Sequence, residues 1–205
     1  MSTPERPRLI VVAGPNGTGK TSITEQLLRH RWMEGCEYIN PDYIARDEFG
    51  DWNSADAVGR AARLAQERRE ACLSAGRSLA FETVLSMPDK IDFIERARSL
   101  GYFVRLFFIG TDDPSINAKR VAMRILEGGH EVPIGKIISR YARSIANCAV
   151  VVRSVDRAYV YDNSVDDQPA RLLFRLRDGL VFKRYGEINP WAQAILQELA
   201  EGNAG

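Results

Sequence analysis

Short apolar runs alternate along this chain with longer segments in which apolar residues recur every three or four positions. Runs of the first kind are typical of strands buried in a parallel sheet, and segments of the second kind are typical of amphipathic helices. Strands are predicted at residues 9–13, 36–39, 78–82, 102–109 and 158–162. Helices are predicted at residues 22–29, directly after 42, and at 54–76, 86–101, 113–127, 134–145 and 190–200. This alternation predicts an α/β fold in which helices cover both faces of a parallel sheet.

Local signals refine several of these elements. Ile23, Leu27 and Leu28 are expected on the buried face of the first helix, because their spacing places them on one side. Ser86 is expected to cap the helix that follows it. Near the C-terminus, Asp178-Gly179 separates two strand-like segments and predicts a β-hairpin.

Length and composition bound the class of protein. The 205 residues suffice for one substantial core, and we expect a single domain over residues 1–205 with a hairpin and a helix at 170–200. The 28 Lys and Arg balance 27 Asp and Glu, so the net charge of +1 predicts neither nucleic acid nor an anionic membrane as a partner. The three cysteines are scattered singly, and no apolar stretch approaches the length of a membrane span. We therefore expect a cytoplasmic protein.

A candidate phosphate loop lies between the first predicted strand and the first predicted helix. It reads Gly14-Pro15-Asn16-Gly17-Thr18-Gly19-Lys20-Thr21. Its glycines let backbone N–H groups surround phosphates, and the following helix N-terminus adds partial positive charge. Lys20 is expected to reach the β- and γ-phosphates, and the Thr21 hydroxyl to ligate Mg²⁺. A chance glycine turn is the alternative, but pattern, position and flanking elements agree on a nucleoside triphosphate site.

A first candidate carboxylate follows the second predicted strand, in Asn40-Pro41-Asp42. Ligands of open α/β sheets bind beyond the carboxyl ends of the strands, and the proline stiffens this turn. Asp42 can accept the proton of an attacking hydroxyl, which is the positioning role used in phosphoryl transfer. Alternatively, Asp42 caps a helix that begins at Tyr43.

A second candidate carboxylate ends the third predicted strand, where Glu82 precedes Thr83. A carboxylate that emerges from an apolar strand beside a phosphate loop can hold Mg²⁺-bound water or a substrate hydroxyl. The alternative is a strand end exposed to solvent.

Basic residues flank a glycine break between two predicted helices. A break of this kind can act as a lid, here over about residues 120–145, whose guanidinium groups neutralise the transferring phosphoryl group. The alternative for each of them is a solvated helix face. The candidates are Arg120, Arg124, His130, Arg140 and Arg143.

Taken in order, these landmarks resemble the zeta-toxin family of P-loop kinases. The resemblance covers roughly residues 9–164, and its short stand-alone branch fits the Gly-Gly-His lid best. The segments that carry it are Gly14-Pro15-Asn16-Gly17-Thr18-Gly19-Lys20-Thr21, Tyr38-Ile39-Asn40-Pro41-Asp42, Ala80-Phe81-Glu82-Thr83, Arg120-Val121-Ala122-Met123-Arg124, Gly128-Gly129-His130-Glu131-Val132-Pro133, Arg140-Tyr141 and Tyr161-Asp162-Asn163-Ser164.

The resemblance implies a nucleotide-kinase-like fold and an ATP- and Mg²⁺-dependent kinase. Founding members of the family phosphorylate a sugar hydroxyl of UDP-N-acetylglucosamine, and an antitoxin protein is the implied partner. By position, Lys20 would stabilise the transferred phosphoryl group and Asp42 would be the general base. Glu82 would contact the acceptor. The remaining implied residues are Arg124 and Arg140 as phosphate ligands, and Asn40, Thr83 and Arg120 in the substrate site.

Other functions stay open from the sequence. The acceptor can be a nucleotide or another metabolite in place of a UDP-sugar. A regulatory NTPase switch would use the same phosphate loop but needs neither an acceptor pocket nor a general base. A nucleic-acid end kinase is a further alternative, and the balanced charge argues against it.

Overall fold

A mixed sheet organises the chain in a computed structural model that describes residues 6–50, 54–126 and 133–202. Its strands are β1 Arg8–Ala13, β2 Glu37–Ile39, β3 Leu79–Thr83, β4 Phe103–Gly110, β5 Arg157–Asp162, β6 Arg171–Arg177 and β7 Leu180–Arg184. The helices are α1 Lys20–Leu28, α2 Pro41–Phe49, α3 Ala55–Ser74, α4 Pro88–Ser99, α5 Pro114–Leu126, α6 Ile134–Val151 and α7 Pro190–Gly202. A 3₁₀ turn at Arg31–Met33 follows α1.

The seven described strands follow the order β2-β3-β1-β4-β5-β6-β7. The strands from β2 to β5 are parallel, whereas β6 and β7 are antiparallel. The α/β prediction is therefore confirmed, and the predicted hairpin extends the same sheet. Strand β1 is the middle one of the five parallel strands, and its residues from Leu9 to Ala13 are apolar and almost fully buried. The phosphate loop that follows β1 consequently begins between the carboxyl ends of β3 and β4.

The two faces of the sheet are covered unequally. One face packs against α2, α3, α4, α6 and α7, which all contribute to the larger buried cluster. The buried residues that cover the other face come from α1 and the 3₁₀ turn, through Ile23, Leu27 and Met33. Among the described helices, none is long and apolar enough to cross a membrane.

Several predicted details differ from the structure. Leu28 was expected on the buried face of α1 but is 38% exposed, because the buried stripe of this helix is limited to Ile23, Thr24 and Leu27. Ser86 is buried and does not cap α4, which begins at Pro88 after Met87 with no side-chain cap. A proline in the first turn has no N–H to satisfy, so that start needs less capping. The predicted glycine break of the lid lies outside the described residues.

The end of β4 tolerates no side chain at Gly110. A Cβ built there would lie 2.3–2.6 Å from ring atoms of Trp191. That indole is buried, and its Nε1–H donates a hydrogen bond to the Asp162 carboxylate at 3.2 Å. The Trp191 ring of α7 can therefore pack against the end of β4 only because Gly110 has no side chain.

We expect Gly110→Ala to destabilise the protein by about 1–3 kcal/mol, because the indole must move from its packed position. Gly135→Ala is the matched control, since nothing lies within 4 Å of a Cβ at that position. Its backbone is helical, so the control should be neutral or stabilising by up to about 1 kcal/mol. Urea denaturation measures both changes. Equal stabilities of the two variants would contradict the packing described for α7.

Candidate active site

The phosphate loop has a backbone that only glycine accommodates at its key positions. Gly14 and Gly17 have φ values of +149° and +78°. A Cβ on Gly14 would lie 2.1 Å from the Ile109 carbonyl oxygen, and one on Gly17 would lie 2.6 Å from that of Asn117. The loop is thus pressed against the end of β4 and the first turns of α5, with no room for side chains at these points.

Two side-chain hydrogen bonds hold the loop in place, one from a residue of the loop and one from the segment that follows β5. The buried Thr18 hydroxyl donates to the Pro15 carbonyl at 3.0 Å. The Asn163 amide donates to the Thr18 carbonyl at 2.9 Å and occupies the space where a Cβ of Gly19 would stand. Asn163 directly follows β5, and the sequence analysis gave it no role. Its signals were its place at the carboxyl end of a parallel strand and its position in the segment Tyr161-Asp162-Asn163-Ser164.

Lys20 begins α1 after Gly19, which is the N-cap and has a φ of 81°. The Lys20 ammonium donates to the carbonyl oxygens of Gly14 and Pro15, both at 2.9 Å. The ammonium is therefore folded back over the loop. Thr21 follows on the helix with an exposed side chain.

Burial and three charged groups shift the pKa of Lys20. Burial lowers the pKa of Lys20 to about 8 from 10.5, although the Glu82 and Asp42 carboxylates raise it. The Arg124 guanidinium lowers it further. The structure consequently brings together four of the predicted site residues: one ammonium, two carboxylates and one guanidinium at the mouth of the loop.

Sheet register explains why both carboxylates reach this place. Val12 of β1 pairs with Glu82 of β3, and Ile39 of β2 pairs with Phe81. The parallel strands β1, β3 and β2 therefore end side by side, and the segments that leave them share one edge of the sheet. This edge is where ligands bind in open α/β sheets.

A hydrogen-bond chain joins the two carboxylate-bearing segments. The Tyr38 hydroxyl donates to Glu82 Oε1 at 3.0 Å and accepts from Asn40 Nδ2 at 2.9 Å. Asn40 Oδ1 in turn accepts from the backbone N–H of Asp42 at 2.9 Å. Burial, followed by the charge of Glu82, raises the pKa of Tyr38, so its hydroxyl stays a donor. Tyr38 entered the sequence analysis only as part of a motif, and its role as a link comes from the structure.

The same contacts correct the capping alternative for Asp42. Helix α2 begins at Pro41 rather than at Tyr43, and its N-cap is Asn40. Asp42 lies in the first turn with an exposed side chain. Its carboxylate is therefore not used as the helix cap, and it lies in the neighbourhood of Lys20.

Thr83 has a structural role that the sequence analysis did not predict. Its hydroxyl accepts from the backbone N–H of Leu85 at 3.0 Å. Leu85 is fully buried with a φ of 56°, an uncommon conformation for a residue other than glycine. Thr83 thus shapes the turn after β3, and its expected contact with the acceptor stays a prediction.

The predicted lid arginines occupy different environments. Arg120 donates to the Asn163 carbonyl at 2.7 Å and pairs with Asp166 at 2.7 Å. Arg124 is exposed on the last turn of α5, and Arg140 is half-buried on α6. Arg143 donates to the Ser139 carbonyl within its own helix. His130 lies outside the described residues. The phosphate-binding roles of Arg124 and Arg140 and the substrate-site role of Arg120 stay predictions.

Comparison with known proteins decides the family. A family model for the zeta toxin matches residues 1–167 of the chain. The chain belongs to the zeta-toxin family. No curated protein gives a match.

Solved structures agree with this zeta-toxin assignment at the level of the fold. AvrRxo1-ORF1, in a complex with AvrRxo1-ORF2 and ATP, matches with a TM-score of 0.67 and 21% identity over 95% of this chain. The chain spans 64% of the length of that protein. The PezAT toxin-antitoxin system of Streptococcus pneumoniae matches with a TM-score of 0.59 and 17% identity, over 98% of this chain and 86% of the other. A chain of the Pnkp1/Rnl/Hen1 RNA repair complex matches with a TM-score of 0.55 and 15% identity, over 71% and 46%.

The family model and the solved structures thus agree on the fold of this zeta-toxin family member. Its phosphate loop is the candidate nucleotide-binding element. Of the residues that the sequence analysis placed in the site, Asp42, Glu82 and Arg124 influence Lys20 in the structure. Tyr38 and Asn163 are added by their hydrogen bonds to Glu82 and to the loop.

The lowered pKa of Lys20 predicts a pH-dependent stability in the nucleotide-free protein. Between pH 8 and pH 10.5 the folded chain has lost the Lys20 proton, whereas the unfolded chain keeps it. Stability therefore rises with pH in this window, by about 1 kcal/mol per pH unit, and has no Lys20-dependent slope below it. Lys20→Met removes this contribution and serves as the reference. Urea denaturation of both proteins from pH 7 to pH 10 measures the difference between their free energies of unfolding. If this difference did not change with pH, Lys20 would not be desolvated.

The Tyr38 link predicts a stability loss on removal of one oxygen atom. Tyr38→Phe leaves Glu82 Oε1 and Asn40 Nδ2 without their partner, so we expect a loss of about 1 kcal/mol. Tyr43→Phe is the control, because Tyr43 is 38% exposed and its hydroxyl makes none of the described hydrogen bonds. The control should change the free energy of unfolding by less than about 0.5 kcal/mol. Similar losses in both variants would refute a special role for the Tyr38 hydroxyl.

Proposed function

We propose that the chain transfers the γ-phosphoryl group of ATP to a hydroxyl group of a small molecule. The observation that supports this proposal is that β1, β3 and β2 end side by side, so that the charges of Glu82 and Asp42 reach Lys20 of the phosphate loop. Phosphoryl transfer requires positioning and charge neutralisation more than covalent chemistry, and these groups can supply both.

Each group has a distinct task in this scheme. Backbone N–H groups of the loop and the N-terminus of α1 bind the phosphates. Lys20 exchanges its bonds to the loop carbonyls for bonds to phosphate oxygens, and it neutralises charge on the transferring group. Arg124 can add to this neutralisation, since its charge already reaches Lys20.

The two carboxylates are suited to different roles. Glu82 already accepts the Tyr38 hydroxyl, which fixes its orientation and leaves its other oxygen for an acceptor hydroxyl. Asp42 has an exposed carboxylate on a backbone that Asn40 holds in place. We therefore assign proton removal from the acceptor to Asp42, and orientation of the acceptor to Glu82.

The donor set fits a magnesium ion bound together with the nucleotide. Mg²⁺ prefers oxygen ligands and is commonly held by one or two protein groups plus phosphate oxygens. The Thr21 hydroxyl would be the protein ligand of the ion. Asp42 and Glu82, whose charges reach Lys20, would orient the water ligands of the ion. When bound, Mg²⁺ supplies neutralisation of phosphate charge. The described residues contain no group of three or more His, Cys, Asp and Glu that could hold a metal without a nucleotide.

Family membership favours a UDP-N-acetyl sugar as the acceptor, and a nucleotide or another metabolite is the alternative. We also propose an antitoxin protein as a partner, because the PezAT structure is that of a toxin-antitoxin system. We propose the cytoplasm as the location, because the three cysteines are scattered singly, as is usual in a reducing compartment. A regulatory NTPase switch is a weaker candidate. Such a switch would not need the carboxylates of Asp42 and Glu82, which lie at the ends of two separate strands next to the loop. An RNA end kinase is weaker too, because the net charge of the chain is only +1.

The test is transfer of label from γ-labelled ATP, with Mg²⁺, to UDP-N-acetylglucosamine and separately to a metabolite extract. We expect Asp42→Asn to lower the transfer rate by roughly 100-fold or more, with less than about a twofold change in ATP affinity. Asp47→Asn is the control, since Asp47 is an exposed carboxylate on the same helix that pairs with Arg46. An unchanged rate in Asp42→Asn would refute the base assignment. Labelling of extract alone would identify a different acceptor, and ATP turnover without any labelled product would favour the switch.

A further inference from the structure

Strand β7 is an edge strand that exposes large apolar side chains. It is the last strand in the sheet order, and all five of its residues are exposed. Leu180 and Phe182 are 63% and 59% exposed. On the side away from β6, no described strand pairs with it, so its backbone N–H and C=O groups there are open to another strand. Edges of this kind are the usual templates for added strands.

The hairpin that contains β7 is strongly basic, although the chain as a whole is nearly neutral. Residues 171–184 hold five Arg and Lys against one carboxylate, Asp178. That carboxylate lies 3.5 Å from both Arg157 and Arg177, so it is already shared between two cations. On β7 itself, Lys183 and Arg184 are exposed next to the apolar residues. The edge thus offers hydrogen-bonding groups, apolar surface and excess positive charge together.

The charge argues against a second copy of this chain as the occupant. Edge strands are commonly protected from self-association by lysine residues and by bulges. The first device is present, since β7 carries two cations, whereas the register shift between Arg175 and Leu176 lies in the pairing with β6. Pairing two such hairpins would bring like charges together. These cations do not repel a strand of opposite charge.

The aromatic rings on this part of the sheet argue against a nucleic acid. Bases bind single-strand platforms by stacking on open ring faces. Here the Arg175 guanidinium lies 5.1 Å from the Tyr159 ring centre and 5.6 Å from that of Phe182. The Lys183 ammonium lies 4.8 Å from the Tyr185 ring centre. The cations already lie against these rings, and they can still form ion pairs with carboxylates.

We propose that β7 is a docking edge for an extended, acidic segment of a partner protein, which joins the sheet as an additional strand. Backbone hydrogen bonds to β7 would give affinity, and alternating side chains would give specificity. Lys183 and Arg184, which lie on opposite faces at the end of the strand, would attract the carboxylates of the segment, and its apolar residues would contact Leu180 and Phe182. This inference does not depend on the proposed phosphoryl transfer.

The test uses a short fluorescent peptide in which glutamate alternates with valine and threonine, measured by anisotropy at low and high salt. We expect saturable binding that weakens with salt, and at least about tenfold weaker binding to Lys183→Glu/Arg184→Glu. Lys183→Gln/Arg184→Gln should fall between that variant and the natural chain. Hydrogen exchange at the β7 amides should slow when the peptide is bound.

Matched controls separate strand addition from general attraction of charge. Arg63→Glu/Arg98→Glu makes the same change in charge at two exposed helix positions and should bind the peptide like the natural chain. A peptide of equal charge with proline in place of valine should not bind, because it cannot form the ladder. Equal binding of the proline peptide, unchanged binding by the Lys183→Glu/Arg184→Glu variant, no binding up to about 1 mM, or tighter binding of oligothymidine would each overturn the proposal.

Discussion

A positive charge held out of water at the mouth of a glycine loop is the feature on which the site depends. Among the described residues, the Lys20 ammonium has only carbonyl oxygens as direct hydrogen-bond partners, and its desolvation outweighs the attraction of two nearby carboxylates. A buried charge of this kind is costly unless an anion compensates it. In the proposed function a triphosphate supplies that anion, because its oxygens can replace the loop carbonyls as partners of Lys20.

The fold supplies the surroundings of this charge through sheet order. Because β3 lies between β1 and β2, the loop, Glu82 and the start of α2 emerge next to one another. Tyr38 then ties the two acidic segments together by hydrogen bonds of 2.9 and 3.0 Å. On the opposite side of the loop, Asn163 links its backbone to the segment that Arg120 also contacts. Side chains from four chain segments therefore define one site, although they are far apart in sequence.

The sequence predicted the elements and most of this site, because strand and loop signals are local. The phosphate loop, Asp42 and Glu82 could be found from motifs at strand ends, and the hairpin turns between β6 and β7 at the predicted Asp178-Gly179. The link through Tyr38 could not be found, because a half-buried tyrosine at a strand end looks like a core residue until sheet order is known. The same holds for the ion pair of Arg120 with Asp166, which requires knowing how α5 packs. The extension of the sheet by the hairpin likewise depends on pairing over a distance.

The decisive measurement is a crystal structure with Mg²⁺ and a non-hydrolysable ATP analogue. We expect the triphosphate to lie in the loop from Gly14 to Thr21. The Lys20 ammonium should leave the loop carbonyls for phosphate oxygens, and the Asp42 and Glu82 carboxylates should face the terminal phosphate across a gap that can admit an acceptor. A terminal phosphate far from Lys20, or an Asp42 carboxylate directed away from it, would contradict the account.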